Sequence, residues 1–399
     1  MISIKEELKL NEDFGAKNYK PLPVAIAKGE GIWVYDTEGK KYMDMLAAYS
    51  SLNHGHRHPK IIAALKEQAD RITITSRAFH NDKMGLFLKK LNEVSGFEKA
   101  LLMNTGAEAV ETALKAARKW AYLKQGITDG EIIACSQNFH GRTISVVSFS
   151  TEPQYRDGFG PFTPGFKIAE YGDIAQMESL ITDKTIAVIL EPIQGEAGVI
   201  VPPAGYLKAV RNLCTQRNIL MIVDEIQTGF GRTGRLFAFE HEDIKPDIVI
   251  VAKALGGGVY PVSAMLSSSE IMSVFSPGDH GSTFGGNPLG AAVGIAALDV
   301  LQEEKLVERS KELGEYFMGL LKTLKSDAVK QIRGRGLMIG LEIKKEHGLA
   351  RLYCEKLMEK GLLCKETHCQ TIRFTPPLII TKQELDTAFA KIKEVIDGR

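Results

Sequence analysis

Cysteine is scarce and poorly spaced for cross-linking: there are five in 399 residues, an odd number with no CxxC pair. That argues against a disulfide framework and for a reducing compartment. No apolar run approaches the roughly 18–20 residues that a membrane span needs. The opening stretch, MISIKEELKLNEDFGAKNY, lacks the apolar core of a signal peptide and carries too many acids for a transit peptide. Neither sign of charge is in excess: 50 Lys+Arg against 49 Asp+Glu leave a net +1. Nothing there points to a nucleic acid or a membrane as partner. Internal repeats and low-complexity tracts are also missing. The expectation is a soluble, cytoplasmic protein.

What is present is an ordinary globular composition, 44% hydrophobic and 25% charged, in a chain long enough for two domains. Glycine is plentiful, at 38 residues often in clusters, as expected where backbone lies close to a ligand. The middle of the chain alternates β-branched runs (residues 131–135, 186–190, 219–223 and 248–251) with helical spacing such as residues 205–218. That alternation predicts an α/β fold, a mostly parallel sheet flanked by helices, with ligands bound beyond the strands' carboxyl ends. Residues 32–45 read as a hairpin turning at Glu38–Gly39 with Trp33 in the core. Residues 288–301 and 382–396 read as helices, and 337–343 and 371–374 as strands. A large domain over residues 50–290 is expected, with a smaller α+β domain formed by residues 1–49 and 291–399.

Three segments at predicted strand ends carry the chemistry. In LLMNTGAEAVETALKAARKWAY, Thr105 and Glu108 have capping-box spacing ahead of a helical rhythm. Such a helix start offers free N–H groups to a phosphate, although many capped helices bind nothing. The run ILMIVDEIQTGFGRTG ends a strand on Asp224-Glu225. A magnesium-nucleotide reading fails because GxxxxGK[ST] is absent, and Gly229–Gly234, though it fits GxGxxG, falls too far past the strand for a dinucleotide site. In DIVIVAKALGGGVYPVSA, Lys253 ends a strand just before three glycines. A lysine in a low-dielectric setting titrates lower and can condense with a carbonyl. Lysine, carboxylate and helix N-terminus together are what pyridoxal 5'-phosphate requires. His54, His56 and His58 alternate in a loop without an acidic or Cys neighbour, which is poor spacing for a metal.

Beyond these segments, NYKPLPVAIAKGEGIWVYDTEGKKY, NFHGRT, EPIQGEAGV, HGSTFGGNPLG and IRFTPPL follow in an order that resembles the class III aminotransferases of the fold-type-I pyridoxal-phosphate enzymes. Within that family the likeness is to the branch acting on ornithine, and it covers nearly the whole chain. The resemblance implies that Lys253 binds the cofactor covalently and shuttles a proton, and that Asp224 keeps the ring nitrogen protonated. It also implies that Gln227 bonds the phenolic oxygen, that Phe139 stacks on the ring, and that Thr105, Gly106 and Ala107 hold the phosphate. Family members are homodimers with shared active sites, so Thr283 is expected to reach the neighbouring subunit's phosphate.

For the substrate, the resemblance implies that Arg142 binds the carboxylate remote from the reacting carbon. Tyr19 and Tyr49 would surround the α-amino end of ornithine, and Glu196 would pair with Arg373 as a switch between substrates. The implied reaction moves the δ-amino group of L-ornithine to 2-oxoglutarate, giving glutamate 5-semialdehyde and glutamate. Acetylornithine and 4-aminobutyrate are the alternative amino donors. A non-catalytic homologue and an NAD-dependent oxidoreductase are the alternatives from other classes. His54 departs from the family's usual NQGH pattern.

Overall fold

The apolar runs rich in Val and Ile form the centre of a seven-stranded sheet in the computed structural model, which describes residues 2–398. Its strand order is Lys99–Met103, Ser263–Ser267, Ile248–Val251, Leu220–Asp224, Thr185–Leu190, Glu131–Cys135 and Phe166–Ala169. Every residue of Thr185–Leu190, Leu220–Asp224 and Ile248–Val251 is buried. Strands covered on both faces need such unbroken apolar runs rather than an alternation. The five strands from Ile248–Val251 to Phe166–Ala169 run parallel, so their carboxyl ends open on one side. Ser263–Ser267 is antiparallel to both its neighbours. Its first residue therefore lies at that same edge.

Two four-stranded sheets lie outside this layer. One joins Ile26–Glu30, Trp33–Asp36 and Lys41–Asp44 to Leu362–Leu363, the last pairing in parallel with Lys41–Asp44. The other contains Val329–Arg335, Met338–Ile343, Thr371–Phe374 and Lys365–Thr367. The hairpin turns where expected, but Trp33 is only half-buried, its ring covered by Lys41 Nζ at 3.9 Å. The helix Pro288–Glu303 crosses the expected boundary at 290 and packs against the helices Pro59–Ala69 and Met84–Ser95. His54 is buried behind it, with Nε2 2.9 Å from the Ala297 carbonyl. Burial pushes this imidazole down to about 4, so it packs as a neutral ring. His56 and His58 point instead to Asp44 and Glu304.

Arg232 ties distant parts of the chain together. Its guanidinium is fully buried and donates to the carbonyls of Leu337 (2.9 Å) and Pro376 (2.6 Å) and to Asn53 Oδ1 (2.6 Å). Burial lowers its pKa to about 9, against the pull of Asp44, so it stays charged at neutral pH. Arg232→Met should strand three buried acceptors at a cost on the order of 3 kcal/mol or more. Arg232→Lys should rescue little of it, because one ammonium cannot reproduce the planar fork. Thermal unfolding checks both: a lysine variant with the wild-type midpoint would contradict the latch.

Candidate active site

The carboxyl ends of the strands, together with Tyr260–Val262, line a cavity of about 520 Å³. Lys253 follows the strand Ile248–Val251 in a left-handed conformation, φ +46°, at the start of a short 3-10 turn. The amine thereby turns off the sheet towards the cavity, which it lines with Asp224, Glu191 and Glu196. Burial pushes the Lys253 amine below the ordinary lysine value, partly opposed by Glu196 and Asp224. Its neutral, nucleophilic form is thus easier to reach.

Asp224 is the last residue of its strand and is buried. Oδ1 accepts the Ile226 N–H at 3.0 Å and Oδ2 lies 2.7 Å from His140 Nδ1. Burial alone would lower the His140 pKa, but the bond and charge of Asp224 win and raise it. His140 Nε2 is buried with no partner among the described residues. Glu191, immediately after the strand Thr185–Leu190, accepts the Phe139 N–H at 3.0 Å. Burial raises the Glu191 carboxyl to about 7, helped by Asp224 and opposed by His140. His140 and Glu191 were not singled out from sequence. His140 adjoins Phe139, and Glu191 obeys the same strand-end rule that identified Asp224.

The helix Gly106–Gln125 begins with a full capping box between Thr105 and Glu108. Glu108 also accepts the Asn104 N–H, so the box leaves the amides of Gly106 and Ala107 at the cavity wall, where both residues sit. A Cβ at Gly106 would come within 2.9 Å of Ile226, so only glycine fits there without displacing that side chain. Pyridoxal 5'-phosphate suits this donor set. An amine, a buried carboxylate backed by imidazole, apolar surfaces from Phe139 and Ile226, and a helix N-terminus share one cavity.

A second constellation adjoins the first. Arg373, 1% exposed on the strand Thr371–Phe374, donates from Nη1 to Glu196 Oε1 at 2.6 Å. Gln227 Nε2 donates to the same oxygen at 3.2 Å. Gln227 is held tightly, since a Cβ at Gly195 would fall 1.6 Å from its Oε1. The Tyr49 ring lies 4.9 Å from the Arg373 guanidinium. Tyr49 belongs to Ala47–Ser50, four consecutive non-glycine residues with φ between +45° and +73°, a conformation costing roughly 1–2 kcal/mol per residue. Arg142 is exposed and does not itself line the cavity; its guanidinium lies 4.4 Å from the Tyr155 ring and 5.8 Å from that of Phe139, which does. Tyr155 carried no motif signal. Tyr19 and Thr283 are both exposed, and neither lines this cavity.

Burial opposes ionisation of Glu196, but Arg373 prevails and holds its carboxyl down at about 2, against an ordinary 4.5. A depressed carboxyl adds stability above its unfolded pKa and loses it as the native value is approached. The pair should therefore stabilise the fold above about pH 4.5 and fade between there and about pH 2. Glu196→Gln should flatten that limb of the thermal midpoint against pH; parallel curves for the two proteins would contradict the coupling.

The sequence matches the Aminotransferase class-III family over residues 14–396. It is 60% identical to the ornithine aminotransferase of Brevibacillus brevis, over 98% of this chain and 97% of that protein. It is 57% identical to that of a Geobacillus strain over the full length of both. Among solved structures, the ornithine aminotransferase of Toxoplasma gondii superposes with a TM-score of 0.96 at 44% identity, over 99% of this chain and 95% of that one. The acetylornithine aminotransferase of Elizabethkingia anophelis reaches 0.90 at 46% identity over the whole of both chains. The fold is thus common to enzymes named for different amino donors. With its family match spanning nearly every residue, the chain belongs to the class III aminotransferases.

Proposed function

We infer that the protein transfers the δ-amino group of L-ornithine to 2-oxoglutarate, forming glutamate 5-semialdehyde and glutamate. The observation that carries this reading is the Glu196–Arg373 pair beside Lys253. Ornithine must present an amine whose carbon bears no carboxylate, whereas 2-oxoglutarate brings a carboxylate next to the reacting carbon. An arginine left free there would favour α-amino acids. Glu196 neutralises Arg373 while ornithine is bound and releases it for the oxo-acid.

Pyridoxal 5'-phosphate, when bound, supplies the carbonyl that takes the amino group and an electron-withdrawing ring. Lys253 Nζ would hold it covalently, and its freed amine would move the proton at the amine-bearing carbon of the substrate. Asp224, oriented by His140, would face the ring nitrogen and favour its protonated form. Gln227 would bond the phenolic oxygen, and Phe139 would cover a ring face. Thr105, Gly106 and Ala107 would hold the phosphate. Arg142 takes the far carboxylate, with Tyr49 and Tyr19 around the α-amino end of ornithine. Exposed Thr283, beside Phe284 at 49% exposure, supports a homodimer in which it completes the partner's phosphate site. No helix among the described residues is long and apolar enough to cross a membrane. The free cysteines suit work in the cytoplasm.

Truncating one member of a buried, hydrogen-bonded charge pair costs about 2–5 kcal/mol. Glu196→Ala should therefore lower the ratio of the specificity constants for ornithine and glutamate by about tenfold or more. Stopped-flow half-reactions with ornithine, acetylornithine, 4-aminobutyrate and glutamate check both parts. Preference of the unaltered protein for another donor would overturn the substrate, and an unchanged ratio would overturn the switch.

A further inference from the structure

The turn that carries Tyr49 has a holder outside the cavity. Asp44, at the end of the strand Lys41–Asp44, accepts the N–H groups of Leu46 and Ala47 with Oδ1, each at 2.8 Å. Its other oxygen takes a hydrogen bond from His56 Nε2 at 2.7 Å, which fixes the carboxylate's orientation. His56 is itself immobilised: its backbone exchanges two hydrogen bonds with Gly31, and its ring lies so close to Gly29 that a Cβ there would fall 2.8 Å from Nδ1. From the other side, Thr375 donates its N–H to the Met45 carbonyl and its hydroxyl to the Leu46 carbonyl, both at 2.8 Å. Thr375 stands two residues after Arg373 on the same segment. The left-handed turn and the arginine facing Tyr49 are thus fastened to each other as well as to Asp44.

L-residues do not remain in four successive left-handed conformations unless their surroundings hold them there. Asp44 supplies acceptors for the two amides that open the turn. We propose that Asp44, oriented by His56, is a positioning residue for substrate choice: it holds Ala47–Ser50 left-handed so that Tyr49 stays on the Arg373 guanidinium. Its effect on substrate preference rests on the ornithine reading above, whereas its effect on the turn does not.

The test combines structure with kinetics. In a crystal structure of the Asp44→Ala holoenzyme, residues 47–50 should leave the left-handed region and Tyr49 should move off Arg373. The ratio of specificity constants for ornithine and glutamate should fall by about tenfold. Adding Ala48→Gly, at an exposed position of the turn, should restore both, because glycine adopts positive φ without a Cβ penalty. General damage to packing would not be repaired by a glycine four residues away. If Asp44→Ala does not fold, the isosteric Thr375→Val, which removes the hydroxyl holding the Leu46 carbonyl, carries the same two readouts and the same rescue. A turn still left-handed with Tyr49 on Arg373 in the variant would overturn the proposal, as would failure of glycine to rescue. A turn that moves while an ornithine preference seen in the unaltered protein stays constant would overturn the link to substrate choice. Absence of that preference in the unaltered protein would instead count against the ornithine reading.

Discussion

Charge taken out of water must be paired, and the pairing of buried charge around Lys253 is what the rest of this site depends on. A lysine at the end of a fully buried strand is useful because burial lowers its pKa. The same burial would be ruinous for the carboxylates and the guanidinium nearby if each stood alone. Asp224 has His140, and Glu196 has Arg373 and Gln227. Glu191 eases the cost by rising to about 7, where it is partly protonated near neutrality. Asp224 and Glu191 come from strand ends of the parallel sheet, His140 and Glu196 from the segments that follow two of its strands, and Arg373 from a strand of a separate antiparallel sheet.

Two local strains follow from the same requirement. Lys253 sits at φ +46° and Tyr49 at +59°; the first is thereby placed at the cavity and the second against Arg373. Positive φ in residues with a Cβ persists only where neighbours over-determine it. For Lys253 the 3-10 turn and the glycines after it do so. For Tyr49 the holding groups are Asp44 and Thr375, and Thr375 is fastened to the segment that bears Arg373. Arg232 adds a third fastening, since the Pro376 carbonyl it holds lies three residues past Arg373. Because Arg232 follows the strand Leu220–Asp224, this last bond ties the arginine's segment to the sheet that bears the lysine.

Much of this was legible in the sequence because parallel strands announce themselves as apolar runs and active residues follow their ends. Lys253 and Asp224 came from that rule directly, and the helix at Thr105 from its capping-box spacing. Glu191 obeys the rule too, but a single carboxyl after IAVIL has no distinguishing neighbour, and its hydrogen bond to Phe139 spans 52 positions. The ion pair of Glu196 with Arg373 spans 177, so family resemblance, not spacing, pointed to it. The strand Ser263–Ser267 was missed because SAMLS has small residues and no β-branched one. The pairing of Lys41–Asp44 with Leu362–Leu363 was invisible because two residues leave no pattern. The left-handed turn at Ala47–Ser50 was also hidden, since no glycine marks it; tertiary contacts impose it.

In the proposed reaction this cavity takes nitrogen from the terminal carbon of ornithine. Isotopic tracing with ornithine labelled with nitrogen-15 at either the δ or the α position, in the presence of 2-oxoglutarate, tests it most directly. The glutamate formed should carry the label from the δ-labelled substrate and none from the α-labelled one. Label arriving from the α position would contradict it.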